Sequence, residues 1–71
     1  MFNFDKLLGR TIEKYGTRKA FAAAMSMSES TLCERLTGKT PFKTAEIYQA
    51  ANLLGIRHDE IGEYFFTPKV R

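Results

Sequence analysis

The sequence predicts an all-α domain of five short helices, with a helix-turn-helix formed by the second and third. The fold class rests first on apolar residues that recur every three or four positions along most of the chain. It rests also on glycines at 16, 38 and 55 that follow such segments as helix stops do. The third observation is the stretch from Thr17 to Gly38, TRKAFAAAMSMSESTLCERLTG, which reads as two apolar stripes on either side of a break at Ser26.

In the first helix, Phe4, Leu7, Leu8, Ile12 and Tyr15 form the apolar stripe, Asn3 or Asp5 supplies the cap, and Gly16 ends it. Thr17 caps the second helix, RKAFAAAM, whose alanines form helix readily and allow close approach of a neighbour. Ala22 is the small residue that a steep helix crossing requires, and Met27 the apolar residue that the turn points inward. Ser26 falls where a left-handed backbone is needed, at a cost on the order of 1 kcal/mol relative to glycine. Ser28 caps the third helix, with Leu32 and Leu36 inward and Glu29, Ser30, Cys33, Glu34 and Thr37 on or near the outward face.

Beyond Gly38, the turn at Thr40-Pro41 places Lys39 and Lys43 beside that face, and Phe42 plugs the core under the loop. A fourth helix with Ile47, Ala50, Ala51 and Leu54 inward takes Thr44 as its cap and Gly55 as its stop. The fifth runs from about His58 to Tyr64, with Asp59 and Glu60 where the helix dipole favours acids. Tyr64 closes that helix, Phe65 and Phe66 open an apolar tail, residues 65–71, and Pro68 blocks further helix. So short a helix does not hide all three rings, so some close the core and the others form an oligomer or partner contact.

With 71 residues, 44% hydrophobic and 27% charged, the chain is expected to fold as one domain, residues 1–71. One cysteine and one histidine give neither an internal disulfide nor a metal site, and no nucleophile, base and orienting group can be assembled, so neither enzyme chemistry nor a cofactor is expected. No apolar run is long enough to span a membrane and the first residues do not read as a secretory leader, so a cytoplasmic, nucleoid-associated place is expected. The net charge is +3, and it is uneven: residues 1–43 carry eight Lys/Arg against four Asp/Glu, an excess of +4 that coincides with the helix-turn-helix. Arg18 and Lys19 stand at a helix start that favours an anion, and with Lys39 and Lys43 they are candidates for phosphate contact. For Glu34 the plain structural reading is surface pairing with Lys39 or Arg35; for Glu29, a favourable place in the first turn. Cys33 reads as a small filler beside the groove.

The run Phe21-Ala22-Ala23-Ala24-Met25-Ser26-Met27-Ser28, with Thr31-Leu32 and Leu36-Thr37-Gly38-Lys39, resembles the lambda repressor and Cro-like helix-turn-helix domains. More narrowly, Phe4 to Tyr15, Pro41 to Tyr48 and the ending Tyr64-Phe65-Phe66 are similar to short Cro-like phage regulators of the lysis and lysogeny switch. The resemblance implies a compact lambda repressor-like domain in which Arg18 contacts phosphate and braces the third helix. It implies that Glu29 and Ser30 take base-reading places, with Glu34 one turn later, and that Thr37 and Lys39 meet the DNA backbone; Cys33, on the same outward face, joins Glu29, Ser30 and Glu34 as a candidate base contact. Family members mostly carry polar or basic residues at the places of Glu29 and Glu34, and an acid facing a polyanion is repelled unless it accepts from a cytosine amino group or pairs with a neighbouring Arg.

The leading expectation is therefore a sequence-specific repressor of the Cro type, inserting the helix from Ser28 to Thr37 into the major groove of double-stranded operator DNA. In that case a homodimer joined through the Tyr64-Phe65-Phe66 tail presents two such helices to successive grooves. The alternative expectation belongs to another class: a protein-binding modulator that forms a heteromer with a phage repressor, Glu29 and Glu34 meeting the repressor's basic DNA-reading surface.

Overall fold

The chain folds into five α-helices, seen in a computed structural model that describes residues 2–68. They are α1 (Asp5–Tyr15), α2 (Arg18–Ala24), α3 (Glu29–Leu36), α4 (Thr44–Leu54) and α5 (Ile61–Phe65), the last entered through a 3-10 turn, His58–Glu60. Among the described residues the only extended pairing is an isolated antiparallel bridge between Phe2 and Pro68. The all-α expectation and the placing of the helix-turn-helix at the second and third helices agree with this; residues 69–71 of the expected tail lie outside the described residues.

Local chemistry sets the boundaries. The Asn3 side chain accepts from the Asp5 N–H at 2.8 Å, and Gly16 at φ 81° turns the chain out of α1. Thr17 and Ser28 cap α2 and α3 by accepting from the N–H groups of Ala20 and Thr31, each at 3.1 Å. Between them Ser26 has φ 59°, the left-handed conformation the turn demands, and the Met27 N–H donates to the Ala22 carbonyl at 3.0 Å. The cap of α4 is corrected: it is Lys43, one residue before Thr44, and the Glu46 carboxylate reaches back to accept the Lys43 N–H at 2.9 Å.

The stripe of α1 is corrected as well. Thr11 is fully buried, whereas Ile12 is 43% exposed. Leu7, Thr11 and Tyr15 form an i, i+4 row, and Ile12 lies about 100° around the helix from it. The Thr11 hydroxyl tolerates the interior by donating to the Leu7 carbonyl at 3.0 Å. The core then gathers Leu7, Phe21, Leu32, Leu54 and Phe65 around the small Ala22, Ala50 and Ala51. Helix α1 packs against α2, α4 and α5, while α3 leans chiefly on α2, with Glu29, Ser30 and Cys33 left exposed.

Candidate functional site

The outward face of α3 carries Glu29, Ser30, Cys33 and Thr37 in exposed positions, with Glu34 partly covered. Arg18, Lys19, Lys39 and Lys43 are exposed around it. The capped turn before Glu29 fixes where this face begins, and Leu32 beneath it, fully buried, fixes which way it points. Arg18 from α2 and Glu29, Ser30 and Cys33 from α3 line an open cleft of about 250 Å³.

Pairing of the charges is uneven. Glu34 and Lys39 stand 3.9 Å apart, the lysine mostly in solvent, a geometry that contributes little. Arg35 is not the surface partner of Glu34 that its place in the sequence suggests. It is 7% exposed and forms a two-point pair with Glu46 of α4, Nε to Oε1 at 2.9 Å and Nη2 to Oε2 at 3.3 Å. The guanidinium's hydrogen bonds, helped by the Lys43 N–H, hold the Glu46 carboxyl below the usual carboxylate range against the opposing effect of burial. The same bond holds the Arg35 pKa above its ordinary value. Sequence reasoning missed this pair, although Arg35 lies three residues beyond Leu32 and hence on the inward row.

The aromatic tail divides. Phe65 is 1% exposed, so its assignment as an oligomer or partner contact is corrected: the ring is part of the core, 5.2 Å edge-on from Phe42. Tyr64 is half-buried, with the Lys6 ammonium 4.8 Å from its ring centre, and Lys6 also pairs with Glu63. Phe66 is 47% exposed and rests against Phe2 at 5.4 Å. Phe2, Phe4, Pro41, Phe42, Ile47 and Phe66 border an apolar hollow of about 210 Å³ beside the loop that leaves α3.

The arrangement offers a helix whose presented groups include two carboxylates, with neutral and cationic groups at its margins. Among the described residues, no three His, Cys, Asp or Glu side chains converge as a metal site would require, and no helix is long and apolar enough to cross a membrane. A protein family described as "Protein of unknown function (DUF739)" matches residues 1–68. The chain belongs to this family. It is also similar to the modulator of repression (MOR) of the temperate bacteriophage TP901-1 from Lactococcus lactis. That solution structure is 38% identical over 99% of this chain and 95% of the other, with a TM-score of 0.83. No curated protein matches the chain.

This likeness overturns the leading expectation of a Cro-type repressor that reads operator DNA. The similar protein is a modulator of repression, which agrees with the alternative reading and not with a DNA-binding repressor. The charges of α3 go with the correction: its surface carries Glu29, exposed, and Glu34, partly covered, and carboxylates oppose a polyanion. The DNA roles expected for Glu29, Ser30, Cys33 and Glu34 at bases, and for Arg18, Lys19, Thr37, Lys39 and Lys43 at phosphates, fall with that expectation. The homodimer that was to present paired recognition helices, and the nucleoid association, lose their basis with it.

Proposed function

We propose that this protein modulates a phage repressor by binding it, with α3 as the contact element and Glu29 and Glu34 meeting the basic surface with which the repressor reads its operator. The observation that carries the reading is the likeness to the TP901-1 modulator of repression across nearly the whole of both chains. Two carboxylates on the exposed side of α3 support it, because they complement a DNA-binding surface and disfavour DNA itself. The chain then keeps a lambda repressor-like helix-turn-helix while its third helix meets protein. It acts by occupancy in the host cytoplasm, with no catalysed step and no cofactor.

The test is a calorimetric titration of the full chain against the DNA-binding domain of the repressor from the same phage. The expected result is a complex that weakens as salt rises and that competes with operator DNA for the repressor. Reversal of both charges, Glu29→Lys with Glu34→Lys, is expected to lower affinity on the order of 100-fold, since attraction is replaced by like-charge contact. Unchanged affinity after that reversal refutes the placement on α3.

A further inference from the structure

The cleft between α2 and α3 brings together one acid and one cation that lack ion-pair partners among the described residues, in a protein whose other acids are nearly all engaged. The chain has eight Asp and Glu residues. Glu13, Glu34, Glu46, Asp59, Glu60 and Glu63 each sit in an ion pair, which leaves Asp5 and Glu29 without one among the described residues. Glu29 lines the cleft from α3, and Arg18, likewise without an ion-pair partner among the described residues, lines it from α2. The two share one hollow and are not bonded to each other.

A guanidinium is purely a donor and a carboxylate purely an acceptor, so the residues that line the cleft include one of each kind, with the Ser30 hydroxyl able to serve as either. A partner ammonium or guanidinium entering here would be drawn to Glu29 and repelled by Arg18, and a partner carboxylate would meet the reverse. A neutral planar group with an acceptor on one side and a donor on the other satisfies both residues. We infer that the Arg18–Glu29 cleft receives a primary carboxamide, a Gln or Asn side chain of the partner repressor, its carbonyl accepting from Arg18 and its amide donating to Glu29. This rests on the proposed function and deepens it: within the partner's basic surface, the group that Glu29 meets is a neutral carboxamide, which leaves Glu34 to the partner's cations. In this role Arg18 is an attractive contact, although it has the same sign as the partner's basic surface.

That sign gives the test. In the same titration, Arg18→Gln and Glu29→Gln are each expected to weaken binding about tenfold, the effect of losing one charge-assisted hydrogen bond, while Lys19→Gln, one residue along α2, changes it less than twofold. With the partner's Gln and Asn side chains labelled with ¹⁵N, one carboxamide pair is expected to shift on complex formation with the wild-type chain and to return toward its free position with Arg18→Gln. If Arg18→Gln tightens binding or leaves it unchanged while Glu29→Gln weakens it, the cleft is a plain anionic contact and the inference is overturned, with the proposed function intact. The absence of any carboxamide shift overturns it equally. If the wild-type chain does not bind the repressor domain at all, the proposed function itself fails, and the assignment of the cleft falls with it.

Discussion

Replacing Arg35 by methionine tests the link between α3 and α4 directly. The side chains of Arg35 and Glu46 are 9% and 16% exposed, so the substitution strands a largely buried carboxylate that the guanidinium now neutralises at two points. Breaking one side of a buried pair costs about 3–5 kcal/mol, and the lower end applies here because Glu46 keeps the Lys43 N–H and some access to water. For a domain of 71 residues, a loss of about 3 kcal/mol lowers the melting temperature by roughly 12–24 °C. Urea and thermal unfolding followed by circular dichroism measure both quantities. Converting the partner as well, Arg35→Met with Glu46→Gln, removes the stranded charge but keeps an acceptor for the cap, so the double variant should recover to within about 1 kcal/mol of the parent. Acidity supplies a further check. Because Glu46 has a depressed folded pKa, its contribution is present above the ordinary carboxylate range and disappears as pH falls through the depressed value. The gap between parent and Arg35→Met should therefore narrow on acidification. A single variant that loses less than about 1 kcal/mol, or a double variant as unstable as the single, refutes the reasoning.

Other substitutions separate core from surface. Phe65→Ala should cost about 3–5 kcal/mol in urea unfolding, whereas Phe66→Ala, whose ring is half in water, should cost about 1 kcal/mol. Ser28→Ala removes the acceptor for the Thr31 N–H and should cost about 1 kcal/mol, with faster amide exchange confined to the first turn of α3.

Most of the fold was legible because it depends on local signals. Thr17, Ser26, Ser28, Gly16 and Gly55 each fix a boundary through one hydrogen bond or one dihedral angle, and such demands are visible in a single residue type. What stayed hidden depends on partners that polarity or local pattern does not reveal. Thr11 is fully buried because it bonds its own helix, so polarity alone misplaced it and put Ile12 inside. Arg35 becomes an interior residue only because Glu46 waits eleven positions later, on a helix whose approach no local pattern encodes. The site was half legible. The outward face of α3 follows from the positions of Leu32 and Leu36, but the class of molecule it meets does not follow from the motif. Helix-turn-helix geometry presents a helix, and the charge at positions 29 and 34 bears on whether a polyanion or a polycation is welcome there. Those two acids were visible from the start and were outweighed by the surrounding cations, whose excess belongs to the first 43 residues as a whole and not to the presented face.

Near its two ends the chain is clasped. The Asn3 N–H donates to the Thr67 carbonyl at 2.7 Å, Phe2 bridges to Pro68, and the Phe2 ring stands edge-on between those of Phe4 and Phe66. Helix α5, five residues long, is too short to hold itself together, so its anchorage includes a latch supplied from some sixty residues earlier. Opening that latch releases only the residues after α5, from Phe66 to Pro68, because Phe65 stays buried in the core and holds α5 against α1 and α4. A bulky fusion placed ahead of Phe2 therefore acts first on the residues around Thr67, at the far end of the sequence.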